Sequence, residues 1–107
     1  MNGSEGDRFL PGEELASEGL SDLAHGRISD ASLLVLIAAP RLRRLGIAIP
    51  GQRSAQPFEH QLYDRLDQRL GPAAYSYYNS LIRRIVSFAR ALEREQSQLQ
   101  PAEVTES

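Results

Sequence analysis

Ser29-Asp30-Ala31-Ser32-Leu33-Leu34-Val35-Leu36-Ile37-Ala38-Ala39-Pro40 is the stretch from which the fold is read. Leu33 to Ala39 is apolar without a break, so the element it forms is buried on every face. A buried strand competes with a helix here, because a short apolar run carries no decisive period. Ser29 and Asp30 decide for the helix as N-cap and first helical residue, together with the Leu and Ala content and the lack of strand-like neighbours. Pro40 kinks or restarts this helix, Arg41 to Leu45 adds one more turn, and Gly46 closes it.

On the N-terminal side, Gly12 to His25 carries Leu15, Ala16, Gly19, Leu20, Leu23 and Ala24 at helical spacing. Glu13 and Glu14 suit the positive end of its dipole, and Gly26 provides a left-handed stop. Gly19 weakens this helix by about 1 kcal/mol against Ala, so it needs tertiary support. Upstream, Phe9 and Leu10 are candidates to dock back on the domain. On the C-terminal side, Ile47 to Gln56 reads as the longest internal loop, with Pro50-Gly51 as a turn. Pro57 suits the first position of a third helix, with Phe58, Leu62, Tyr63, Leu66 and Leu70 on one face and Gly71 at its end. Pro72 opens the longest helix, through about Gln98, on which Ala74, Tyr78, Leu81, Ile85, Phe88, Leu92 and Leu99 step by fours and threes. Tyr75, Ile82 and Ala89 widen that stripe, which suits a bundle better than a narrow two-stranded seam. The expected architecture is all-α, a small bundle of about four helices with disordered termini. Residues 1–11 form a flexible lead-in, 12–98 a single helical domain and 99–107 a disordered tail.

The chain has 107 residues, and the absence of Cys excludes disulfides, thiolate metal sites and thiol nucleophiles. Met1 to Arg8 lacks the basic-then-apolar pattern of a secretory signal. The seven apolar residues Leu33 to Ala39 fall short of the ~20 needed for a membrane helix. The expected setting is cytoplasmic and bacterial. All 12 basic residues are Arg, which fits GC-rich coding and equally supplies bidentate contacts that Lys cannot make. A net charge of −2 argues against a globally basic nucleic-acid binder.

The charge is nevertheless segregated. Residues 1–30 hold seven acids against Arg8 and Arg27, whereas residues 31–58 hold Arg41, Arg43, Arg44 and Arg53 with no acid. Glu14, Glu18 and Asp22 form an acidic stripe, which either faces Arg groups of neighbouring helices or is solvated. Arg83, Arg90 and Arg94 lie opposite the apolar stripe of the long helix. Arg41, Arg43 and Arg44 sit in a short turn after the buried helix. Tyr77 lies off the core face near Arg84, the composition of an interface anchor, whereas Tyr75 and Tyr78 serve the core with their hydroxyls near water.

Catalytic patterns are sparse. His25 beside Gly26 complements a helix dipole. Asp64 and Asp67, with Arg65 and Arg69 around them, read as surface pairs. Neither a Gly-x-Ser-x-Gly elbow nor a phosphate-binding glycine loop is present. Two isolated His and scattered carboxylates give no metal-ligand spacing, and no cofactor is expected. Arg53 and His60, separated by six residues, resemble the Arg–His element of HEPN-type ribonucleases, which are also small and all-helical. The resemblance covers eight residues and departs from that family at Ser54, where Asn, Asp or His is common, and at Pro57 between the two.

The expectation is a small non-catalytic interaction or regulatory module that binds another protein or a second copy of itself as a homodimer. The far end of the long helix, near Phe88, Leu92 and Leu99, outruns the shorter helices and would be covered by that partner. The alternative is a nucleic-acid-binding regulator using Arg83, Arg90 and Arg94 with Arg41, Arg43 and Arg44. A HEPN-like ribonuclease is a remote third reading. No membrane partner is expected.

Overall fold

The computed structural model describes residues 10–51 and 54–99. Their helices are α1 (Glu13–Ala24), α2 (Asp30–Arg44), α3 (Phe58–Leu70), a 3-10 turn (Gly71–Ala73) and α4 (Ala74–Leu99). The all-α class is as expected, and the described residues contain no strand. The expected count of about four separate helices needs correction. Helical backbone among the described residues falls into three runs, because residues 58–99 are helical throughout and the 3-10 turn divides α3 from α4. Gly71 turns the chain at φ +56, and Pro72 sits in the tight turn, so α4 starts at Ala74 and not at Pro72.

Local chemistry explains where α2 begins. The Ser29 hydroxyl accepts from the Ser32 amide at 3.0 Å, while the Ser32 hydroxyl accepts from the Ser29 amide at 2.8 Å. This reciprocal box satisfies two donors that a helix start otherwise leaves open. The Ser29 hydroxyl also donates to Asp22 at 2.6 Å, and Arg27 Nε donates to the same carboxylate at 3.1 Å. Asp22 therefore pins the turn between α1 and α2 and is withdrawn from the expected acidic stripe. The Ser29 hydrogen bond, aided by Arg27, holds its carboxyl below the usual range. Gly26, at φ +72, provides the left-handed stop, and His25 Nδ1 donates to the Ser21 carbonyl at 2.8 Å.

Pro40 does not restart α2, which runs continuously through it and, as expected, adds one more turn to Arg44. Proline removes one amide donor and crowds the preceding turn. Here tertiary contacts keep the helix whole: Ala39 and Leu42, on either side of Pro40, are both buried. Helix α2 forms the centre of the core, with Ala31, Ser32, Leu33, Leu34, Val35 and Leu36 buried in succession. Its cover comes from Ala16 and Leu23 of α1, Leu62 and Leu66 of α3, and Ala74, Leu81, Ile85, Phe88 and Ala89 of α4. Full burial of each large apolar side chain contributes about 1.5–3 kcal/mol, so this helix gathers much of the driving force for folding.

At Gly19, α1 packs tightly against the backbone of α2. A Cβ at Gly19 would collide with the Ala31 carbonyl oxygen and lie 2.5 Å from Val35 Cγ2. The glycine that weakens α1 in isolation is therefore what lets it pack on α2. Gly12 does the same against α4, with φ +76 and its missing Cβ facing the Arg84 carbonyl and Phe88 Cβ.

Ionic contacts fasten both ends of α2. At its N-terminus Asp30 accepts from Arg65 Nε at 3.0 Å and from Arg69 at 2.8 Å, both on α3. Arg65 and Arg69 thus reach α2, where the sequence suggested surface pairing with Asp64 and Asp67. At the C-terminus Arg41 donates twice to Glu93 of α4, at 2.9 and 3.0 Å. No helix among the described residues is long and apolar enough to cross a membrane.

Gly19→Ala should destabilise the fold by roughly 1–3 kcal/mol despite the better helix propensity of Ala. Urea unfolding would show a lower midpoint with an unchanged slope. Burial pushes the Asp30 carboxyl up, but hydrogen bonds from Arg69 and Arg65 more than offset this and hold it below the usual carboxylate range. A lowered folded pKa stabilises at pH values above the ordinary carboxylate value, and that stability is lost as pH falls through the folded one. Asp30→Asn should therefore lower the melting temperature at pH 7 and narrow its gap to the parent below about pH 4.

Candidate interaction surface

Two helical registers meet on the face shared by α2 and α4. On α2, Ile37, Arg41 and Arg44 follow at steps of four and three. On α4, Ile82, Val86, Ala89 and Glu93 follow at four, three and four. Side chains at such spacing share one helix face. Between them lies a groove of about 270 Å³, lined by Ile37, Ala38, Pro40, Arg41 and Arg44 from α2 and by Ile82, Ile85, Val86 and Ala89 from α4. Ile85 and Ala89 form its buried floor, whereas Ile37, Ala38, Ile82 and Val86 are half-buried and remain open to solvent.

The bidentate Arg41–Glu93 pair closes one end of the groove. Arg44 and Arg90 flank it, both exposed and both close enough to act on Glu93. The Arg41 hydrogen bonds, with the fields of Arg44 and Arg90, hold the Glu93 carboxyl below its usual range. The same hydrogen bonds raise Arg41 above its ordinary value. Three cations thus converge around one anion. Arg94 lies one turn beyond Arg90, and Arg83 two turns before it, on the outer side of α4. Neither Arg44, Arg83, Arg90 nor Arg94 has a salt-bridge partner among the described residues.

Arg43 does not join this cluster. Its guanidinium donates to the Ile49 carbonyl at 3.2 and 3.0 Å and to the Pro50 carbonyl at 3.3 Å. It holds the start of the 47–56 loop against α2, beside buried Ile49. Tyr77 is exposed, as expected, and lies toward Arg69.

At the expected bare end of α4, Phe88 and Leu92 are covered within the chain. Phe88 is buried, and Leu92 is partly buried against the core. Both line a cleft with Leu10, Ala16 and Leu20 on one side and Leu45 and Ile47 on the other. Gln96 Nε2 also donates to the Leu45 carbonyl at 2.6 Å. The helix outruns α3, but the start of α1 and the turn after α2 occupy the space beside it. The side chain of Leu99 and the suggested docking of Phe9 lie outside the described residues.

Of the ribonuclease-like pair, Arg53 lies outside the described residues, and His60 is exposed on the first turn of α3. The described residues contain no group of three or more His, Asp or Glu arranged to hold a metal ion. Comparisons with protein-family models, with curated proteins and with solved structures found no match.

Ile37 and Ala38, expected to be buried with the rest of Leu33 to Ala39, are half-open instead, and so is Val86, which the α4 stripe does not include. The available signal was the i, i+4 succession of Ile82 and Val86 along the flank of the α4 stripe. It was hidden because a flank residue looks the same in sequence whether or not a neighbouring helix reaches it.

Glu93→Gln removes the one anion among these cations and should delay elution of the protein from a heparin column to higher salt. Arg44→Glu combined with Arg90→Glu should bring elution to lower salt. Circular dichroism close to that of the parent would exclude unfolding as the cause.

Proposed function

We propose that this protein is a non-catalytic interaction module that binds an acidic, amphipathic protein segment along the groove between α2 and α4. The observation that carries the proposal is the half-open row Ile37, Ala38, Ile82 and Val86, bordered by Arg44, with Arg90 near Glu93; neither arginine has an ion-pair partner among the described residues. An amphipathic helix laid in such a groove buries apolar side chains at i, i+3, i+4 and i+7 and places acids against the arginine rim. Apolar contact supplies most of the affinity, and the arginines supply orientation and rate of encounter.

A second copy of the chain is one form such a partner takes. Glu14 and Glu18 of α1 are exposed and make no ion pair among the described residues, so one molecule offers an acidic face to the arginines of another. Where the acidic face and the arginine rim fall within one self-complementary patch, the contact is made twice and closes a two-fold homodimer; otherwise it is heterologous.

Nucleic acid is the second reading, and the convergence of Arg41, Arg44 and Arg90 with Arg94 is what favours it. Phosphate binding by this cluster would weaken steeply with added salt through counterion release. The apolar groove bounded by the arginines would play no part in it, which makes the protein segment the better account of the whole surface.

Selection from a random peptide display library should enrich helical sequences with apolar residues at three- and four-residue steps and with acids on one flank. Ile82→Glu should reduce binding of an enriched peptide at least about tenfold, and Arg44→Glu by less, with stronger salt dependence. Enriched peptides with no apolar period, or binding indifferent to Ile82→Glu, would contradict the proposal. Light scattering on a sizing column, with absorbance at 260 and 280 nm, separates self-association and co-purifying nucleic acid from both.

A further inference from the structure

Three of the four tyrosines gather where α3 meets the start of α4, away from the groove just described. Tyr63 and Tyr78 pack edge to face, with ring centroids 5.8 Å apart and planes at 81°. Two rings at nearly a right angle form the walls of a corner. Tyr75, one turn before Tyr78 on α4, adds a further ring and is 66% exposed. The sequence assigned Tyr75 to the core stripe, and its exposure shows that packing does not use it.

The cleft between these rings has a volume of about 470 Å³, with Pro57, Glu59 and His60 completing the lining. Its exposed lining is almost entirely carbon, and no arginine borders it. Glu59 is the only carboxylate in the lining and stands close enough to Tyr78 to act on its hydroxyl, which burial already pushes up. Aromatic faces carry negative potential and attract cations within about 6 Å of the ring centroid.

The nature of the cation follows from what the cleft lacks. A bare ammonium or guanidinium gives up hydration on entering and needs acceptors in return. The surface this lining exposes is almost all carbon, and Glu59 is its one carboxylate. A methylated ammonium has few or no N–H donors to satisfy, spreads its charge over methyl groups and packs against ring faces. A neutral ligand would lose the attraction to the rings and to Glu59.

We propose that the corner formed by Tyr63, Tyr75 and Tyr78, with Glu59 at its rim, binds a methylated ammonium group. The site does not depend on the α2–α4 groove, so each proposal can fail without the other. Methylated lysine on a protein and free choline-like cations present the same chemistry, and binding studies distinguish them.

Because the chain has no Trp, its intrinsic fluorescence comes from tyrosine, and three of the four residues lie in this cleft. The test titrates the full chain with tetramethylammonium chloride, using sodium chloride at equal ionic strength as the blank and 3,3-dimethylbutan-1-ol as the neutral tert-butyl isostere. The expected result is a saturable change with the quaternary ion and at least about three- to fivefold weaker binding of the isostere. Tyr75→Ala, at an exposed position, should abolish saturation while leaving the far-ultraviolet circular dichroism unchanged. Glu59→Gln should weaken binding of the ion but not of the isostere. A trimethyl-lysine peptide that binds more tightly than choline identifies a modified protein as the source, and equal binding identifies the free cation. Equal affinity for ion and isostere, no saturation with the ion, or saturation that persists in Tyr75→Ala would each overturn the assignment.

Discussion

The structure depends on covering one helix that is apolar on nearly every face. Helix α2 presents Leu33, Leu34, Val35 and Leu36 in direct succession, so no single neighbour can shield it. Its backbone donors and acceptors are satisfied internally, which lets it sit at the centre without polar cost once its N-terminus is capped. The Ser29–Ser32 box supplies that cap, and Ser32 is itself fully buried with its hydroxyl hydrogen-bonded. Helices α1, α3 and α4 then arrange themselves around α2. Gly19 and Gly12 bring backbones close enough for the contact to be dense.

Incomplete cover has consequences for function. Three neighbouring helices cover the N-terminal half of α2 and leave Ile37, Ala38 and Pro40 of its C-terminal half at or near the surface. The α2–α4 groove is this remainder. The arginines of the last turn of α2 suit the negative end of its dipole. Two of them, Arg41 and Arg44, also border the exposed apolar row, so the same residues terminate the helix and shape the surface. The Arg41–Glu93 pair connects the two roles by tying α2 to α4 at the groove's end.

Much of the helical layout was legible. The Ser29 cap, the left-handed Gly26 and the boundaries of α1 and α2 follow from short-range rules that act within a few residues. Pro40 does not restart the helix, because a proline's local penalty is fixed while the packing that overrides it comes from residues distant in sequence. The division near Gly71 was off by two residues because Pro72 is as well suited to a 3-10 turn as to the start of an α-helix. Tyr75 looked like a core residue because the α4 stripe includes it, yet no neighbouring helix covers it. Phe88 and Leu92 looked bare because helix length alone does not reveal that the turn after Leu45 folds back beside them.

The sequence by itself determined the helical class, the central place of Leu33 to Leu36 and the outward row Arg83, Arg90 and Arg94. Each of these rests on periodicity or composition within one segment. Only the tertiary structure decided which cations were spent on internal pairs. It sent Arg65 and Arg69 to Asp30, Arg41 to Glu93 and Arg43 to the Ile49 and Pro50 carbonyls, and it left Arg44 and Arg90 beside an open groove. It also brought Tyr63 against Tyr78 across two helices. Such meetings depend on how helices cross, and a helix reports in its sequence which face is apolar but not which neighbour, if any, will cover it.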